Sequence, residues 1–197
     1  MNLPNRLTVM RIIMTPLFMA AMMIEFPHHY LVALVLFVVA SLTDMLDGKI
    51  ARARNLVTNF GKFLDPLADK MLTTSAFLGF LAKGFGFGIV WVLFIVLFRE
   101  FMIASLRLVA VSSENKKVIP ANMWGKVKTV TQMAAIIIGL AVMYFGESIA
   151  PIVSAPLVVG DILMLVFNIV LWVSTVVAVI SGAIYMKDSF EFIDPSK

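Results

Sequence analysis

Four aspartates, Asp44, Asp47, Asp65 and Asp69, stand between two apolar segments. Asp44 and Asp47 are three residues apart, and Asp65 and Asp69 are four apart. On a helix, either spacing puts a pair of side chains on one face. The link from Gly48 to Leu64 is short enough to make the two helices antiparallel neighbours. All four carboxylates can therefore converge on one pocket. Left alone they would repel, and in a site of reduced dielectric they must take up protons or attract cations. Carboxylate oxygens suit hard divalent ions, Mg²⁺ or Mn²⁺, which commonly bind phosphates as well. Two such ions would cancel the formal charge of four carboxylates. A two-metal site stabilises both the attacking and the leaving oxygen of an in-line displacement. The pattern therefore points to phosphoryl transfer. Aspartates at helix ends are often no more than solvated caps, and a single pair would favour that reading. Two pairs flanking a basic, glycine-containing link favour a site.

The residues between the pairs fit the same chemistry. Gly48 follows Asp47 directly, and Ala51 lies three residues on. Neither has bulk, so a flat base or a diphosphate could approach the backbone. Small residues also serve close helix packing in membranes. Arg52 offers a fork to phosphate, or an offset to the acids. Gly61 would let the chain enter the next helix close to the metals, and Pro66 is expected in that helix's first turn.

These side chains must be held by membrane helices. Of 197 residues, 61% are hydrophobic and only 14% charged, and the mean hydropathy is +0.98. A soluble domain is about 45–50% apolar and about 25% charged. With no cysteine there is no disulfide, thiolate metal site or cysteine nucleophile. A net charge of +4 fits loop orientation and anionic lipid better than nucleic acid. A span needs about 20 mostly apolar residues, and six stretches qualify: 7–25, 30–50, 66–83, 87–111, 126–146 and 157–186. The fold expected is an all-α integral membrane protein, one domain over 1–197, with six transmembrane helices and a short N-terminal interfacial amphipathic helix. Arg6 and Arg11 are placed at headgroup level. The first span continues into a loop, with a poor cleavage signal at Ala20–Ala21, and reads as a span rather than a cleaved leader. Lys49, Arg52, Arg54, Lys62, Lys116, Lys117, Lys126 and Lys128 fall on one side, and only Lys83 falls in the opposite loops. The positive-inside rule puts both termini and the aspartates on the cytoplasmic side.

The run Asp44-x2-Asp47-Gly48-x2-Ala51-Arg52, then Gly61-x3-Asp65-x3-Asp69, resembles the signature of the CDP-alcohol phosphotransferases without a departure. The resemblance implies six transmembrane helices, usually in a homodimer. It implies cleavage of a CDP-linked substrate, with release of CMP and transfer of the phosphoalcohol part to a hydroxyl. It also implies that Asp44, Asp47 and Asp65 are mainly metal ligands. Asp69 is then the general base, and a metal contact as well. Gly48, Ala51, Arg52 and Gly61 would border the CDP moiety. An alcohol is a poor nucleophile at neutral pH, so a carboxylate within hydrogen-bond reach has a role to fill.

The acceptor is read from other stretches. "NLPNRLTVMR", "GKFLDPLADK", "REFMIASLR", "GKVKT" and "SGAIY" resemble one branch of that family, the bacterial phosphatidylglycerophosphate synthases. Its reaction joins CDP-diacylglycerol to sn-glycerol 3-phosphate in the cytoplasmic membrane. The cations agree. Arg99 and Arg107 are eight apart, nearly one helix face, and Arg99 lies inside an apolar run where an unpaired cation is costly. Lys126 and Lys128 open span five, diverging by about 200° on a regular helix. Together the four make an acceptor-phosphate pocket. Positive-inside anchoring is the competing reading of the two lysines. Glu100, adjacent to Arg99 in sequence, is expected to be a poor partner for it. His28 and His29 read as interfacial polar residues, and Asp161 as a helix cap. Trp91, Trp124 and Trp172 read as membrane anchors or packing residues. Alternatives are the same chemistry with phosphatidylglycerol or an inositol phosphate as acceptor, and, from another class, a cation transporter. A transporter would spread its acids through the membrane depth, whereas these cluster at one face. A metal-dependent hydrolase lacks an HExxH-type pair.

Overall fold

A computed structural model describes residues 3–53, 59–112, 123–149 and 156–189; side chains at 3, 4, 45–53, 59, 62, 63, 110–112, 156 and 157 are outside the description. The described residues are helical apart from turns at 24–28, 83–88 and 189. They form α1 (Leu3–Met23), α2 (His29–Ala53), α3 (Asn59–Ala82), α4 (Ile89–Ser112), α5 (Met123–Tyr144) and α6 (Pro156–Asp188), with a π-helical turn, Phe145–Ile149, after α5. By length and composition, α1, α4, α5 and α6 contain stretches able to cross a membrane, and α2 carries a shorter apolar run, His29–Asp44.

Helix bounds differ from expectation at two places that matter. Residues 3–23 form one unbroken helix, so the amphipathic N-terminal stretch makes the first turns of α1. α2 continues to Ala53 and α3 already starts at Asn59. Asp47, Gly48, Ala51, Arg52, Gly61 and Asp65 are thus all on helical backbone, where a link from Gly48 to Leu64 was expected. Pro66 consequently sits inside α3, not in its first turn. It removes one backbone bond to residue 62, a loss that neighbouring helices make tolerable in a membrane bundle.

The packing explains how the aspartates meet. α2 and α3 touch each other little; α1 packs extensively against both, α5 and α4 pack on α6, and α2 packs on α5. The core follows these contacts, with Phe18, Phe37, Phe77, Phe80 and Phe167 fully buried. Phe85 stacks on Phe167, their ring centroids 4.9 Å apart. Gly139 lets α5 approach this cluster: a Cβ there would stand 2.7 Å from ring carbons of both Phe80 and Phe167. The α3–α4 turn is clasped by α6, since Asn168 Oδ1 accepts from the Phe87 N–H at 2.7 Å and the Trp172 indole donates to the Phe87 carbonyl at 3.0 Å. Gly88 in that turn has φ +67°, and a side chain there would meet the Trp172 ring at 2.9 Å.

The end of the bundle away from the aspartates corrects two readings. His29 is 97% buried, with 3% exposure, rather than interfacial. Its Nδ1 lies 3.0 Å from the Ala21 carbonyl oxygen and its Nε2 3.2 Å from Glu147, pinning α1, α2 and the π-helical turn together. Asp161 is the sixth residue of α6, which starts at Pro156, so it does not cap that helix.

Candidate active site

At the aspartate end, one cavity of about 580 Å³ is lined by Asp44, Asp65, Asp69, Arg99, Arg107, Lys126 and Lys128, together with Lys70, Glu100, Ser181 and Tyr185. It therefore gathers side chains from α2, α3, α4, α5 and α6. The spacing argument holds for Asp65 and Asp69, whose positions on α3 reach the same space. It also holds for Arg99 and Arg107 on α4. Lys126 and Lys128 diverge as helix geometry requires, Lys126 exposed and Lys128 buried, yet both line the cavity. Gly61 is buried near the start of α3 and is not among the lining residues. The side chains of Asp47, Gly48, Ala51 and Arg52 lie outside the described residues.

Helix α1 contributes two residues to this end. Arg11 is fully buried, and its Nη1 lies 2.5 Å from Asp44 Oδ1. Thr8, one turn earlier, donates its hydroxyl to Asp65 Oδ1 at 2.7 Å. One face of α1 thus fixes one acid on α2 and one on α3. The expected headgroup position for Arg11 is overturned, because three-residue spacing carries Thr8 and Arg11 together onto the seam between α2 and α3. The sequence held a signal: a Thr–Arg pair at helical spacing in an N-terminal segment preceding an acid-rich one.

Glu100, expected to be a poor partner for Arg99, is instead bound to it. Arg99 Nη1 donates to Glu100 Oε1 at 2.8 Å, Lys128 Nζ donates to the same oxygen at 2.5 Å, and Lys70 Nζ lies 3.7 Å from Oε2. Adjacent residues on a helix do not face each other, but a guanidinium on a flexible stem can fold back to its neighbour. Arg99 Nη2 also donates to Ser181 Oγ on α6 at 2.7 Å. Arg107 Nε donates to the Tyr185 hydroxyl at 3.3 Å, with its guanidinium carbon 5.5 Å from the ring centroid. Arg99, Arg107 and Lys128 are thus oriented by other side chains before any ligand arrives.

Among the described residues, no three acidic or imidazole side chains cluster closely enough to hold one ion. Asp44, Asp65 and Asp69 nevertheless line the cavity from α2 and α3, beside Lys70, and offer carboxylate oxygens, the set that hard divalent cations take. Chemically, the cavity offers an acidic wall for cations and an opposing basic wall for a phosphate.

Comparison with known proteins adds a finding of a different kind. A family model described as CDP-alcohol phosphatidyltransferase matches residues 1–180. The chain is 36% identical over 207 residues to the CDP-diacylglycerol–glycerol-3-phosphate 3-phosphatidyltransferase of Bacillus subtilis (strain 168), covering 99% of this chain and 98% of that protein. It is 37% identical over 190 residues to the protein of the same name from Rickettsia bellii (strain RML369-C), covering 94% of each. It is also 37% identical over 186 residues to a probable phosphatidylglycerophosphate synthase of Mycobacterium tuberculosis (strain ATCC 25618 / H37Rv), covering 93% of this chain and 82% of that one.

Proposed function

From the premise that this chain belongs to the CDP-alcohol phosphatidyltransferase family, we propose that it transfers the phosphatidyl group of CDP-diacylglycerol to sn-glycerol 3-phosphate, giving phosphatidylglycerophosphate and CMP. The observation that carries the reading is the single cavity in which carboxylates from α2 and α3 face Arg99, Arg107, Lys126 and Lys128 from α4 and α5. A neutral acceptor would leave those cations without a purpose; a phosphomonoester uses them. Relatives bearing the name of this reaction span nearly the whole chain.

The chain's own groups then divide the work. Arg107 and Lys126, exposed on the basic wall, bind the acceptor phosphate with Arg99 and Lys128. This orients the glycerol hydroxyl towards the acidic wall. Asp69 takes the hydroxyl proton onto its carboxylate as the oxygen attacks the diacylglycerol-linked phosphorus. A phosphorus–oxygen bond to glycerol forms, the anhydride bond to CMP breaks, and CMP departs. Asp44 and Asp65, with Asp47, are the groups that would hold two divalent cations, Mg²⁺ or Mn²⁺, with Asp69 touching one. Bound there, such ions would neutralise the diphosphate and the charge that builds on the leaving CMP. Gly48, Ala51, Arg52 and Gly61 border the CDP moiety in this reading.

The same reading makes the protein a six-span enzyme of the bacterial cytoplasmic membrane, with termini and cavity on the cytoplasmic side. Its support is the lysine and arginine asymmetry of the loops. A homodimer follows from the family resemblance. The deciding experiment offers purified protein, CDP-diacylglycerol and Mg²⁺ a panel of acceptors: glycerol 3-phosphate, phosphatidylglycerol and inositol phosphate. Phosphatidylglycerophosphate with stoichiometric CMP is the expected product. A product formed only with another acceptor would reassign the branch.

A further inference from the structure

The cations of the basic wall share one acid. Glu100 Oε1 accepts from Lys128 at 2.5 Å and from Arg99 at 2.8 Å, and Oε2 lies 3.7 Å from Lys70. Side-chain exposure is 17% for Glu100, 11% for Arg99 and 10% for Lys128, so little water is at hand to replace a lost partner. The arrangement is fixed on both sides. Ser181 of α6 holds the other terminal nitrogen of Arg99, and the Lys128 ammonium, with three donors in all, keeps two beyond the one given to Glu100. Asp69 lines the same cavity and is another carboxylate that acts on Lys128. If Glu100 were neutral, Lys128 would have an acid to turn to, and that acid is the assigned base.

Resting on the reading above, we propose that Glu100 is a positioning residue of the acceptor pocket: its carboxylate pins Lys128 and Arg99 to the cavity wall, aimed at the acceptor phosphate, and keeps Lys128 from pairing with Asp69. Glu100 does not bind the acceptor, which it would repel. It acts through Lys128. An isolated anion beside a phosphate site is otherwise unfavourable, and its presence here is explained by the ordering of cations that would otherwise collapse onto the acidic wall.

A double-mutant cycle tests this. Wild type, Glu100→Gln, Lys128→Gln and the double variant are purified in detergent, checked for a cooperative thermal transition, and assayed with each substrate varied in turn. Glu100→Gln is expected to raise KM for glycerol 3-phosphate by about tenfold or more and to lower kcat, with KM for CDP-diacylglycerol within about twofold of wild type. The double variant is expected to lose less than the product of the two single losses, because the Lys128 part is shared and Arg99 keeps Ser181. Glu100→Asp, which keeps the charge, is expected to recover part of the loss. Should Glu100→Gln fail to fold, the double variant, which removes the buried Lys128 cation together with the acid, is compared with Lys128→Gln in its place. A folded Glu100→Gln enzyme with unaltered KM for glycerol 3-phosphate would overturn the inference. So would a double variant with multiplied losses. A wild-type protein inactive with glycerol 3-phosphate would instead overturn the parent reading, so the two failures are distinguishable.

Discussion

Arg11 on α1 and Asp44 on α2 stand 2.5 Å apart, the guanidinium fully buried and the carboxylate about one-third exposed. With Thr8 holding Asp65 one turn away, this contact makes α1 the element that sets two acids from different helices at one cavity. Among the described residues, α2 and α3 make few contacts with each other, whereas α1 packs extensively against both.

Removing Arg11 is therefore expected to damage activity more than stability. In Arg11→Met, Asp44 loses the guanidinium contact but keeps access to water, so the stability loss should be modest, about 1–3 kcal/mol. Turnover should fall by a larger factor, because the charge that orients this carboxylate from α1 is gone. Thermal melting beside initial rates would separate the two. Activity lost only in proportion to folded protein would assign Arg11 a purely structural role.

Asp44→Asn and Asp65→Asn are each expected to abolish turnover and weaken divalent-ion binding. Chelation of wild type with EDTA should have the same effect, reversed by Mg²⁺ or Mn²⁺. Full turnover in a chelated sample would remove the cations from the mechanism.

Asp69→Asn should behave differently. It is expected to retain CDP-diacylglycerol binding while transfer slows by about 10²–10⁴-fold, the usual worth of a general base. Equilibrium binding of the CDP-lipid alongside single-turnover rates gives the answer, and an unchanged rate would leave Asp69 without that role.

Arg107→Ala and Lys126→Ala test the basic wall. Each should raise KM for glycerol 3-phosphate by about tenfold, ~1.4 kcal/mol of binding, with less change for CDP-diacylglycerol. Arg107 also loses its contact with Tyr185, so Tyr185→Phe should show a weaker version of the same shift. An effect confined to the lipid substrate would reassign the pocket.

Gly139→Ala probes packing away from the chemistry. Its new methyl would meet Phe80 and Phe167 at 2.7 Å, so overpacking should cost about 1–3 kcal/mol. The melting temperature should drop while KM for both substrates holds. A shift in KM without a change in melting would tie this cluster to the site.

What the sequence determined by itself is the part governed by local periodicity and by composition. Apolar runs gave an all-helical chain, and four of its described helices are long and apolar enough to cross a bilayer. Spacings of three, four and eight placed Asp65 with Asp69, and Arg99 with Arg107, on common faces. The pattern of acids, glycines and basics named the chemistry. What only the tertiary structure decided are contacts between helices distant in the chain. Arg11 reaches Asp44 across 33 positions, as the numbering shows, and Lys128 reaches Glu100 across 28. Arg99 reaches Ser181 across 82. Helical period says which way a side chain points from its own axis. It says nothing of which other helix lies there, because that is set by the packing of whole helix faces. So Arg11 reads from sequence as one more headgroup cation, and Glu100 as a bystander, until the bundle closes around them.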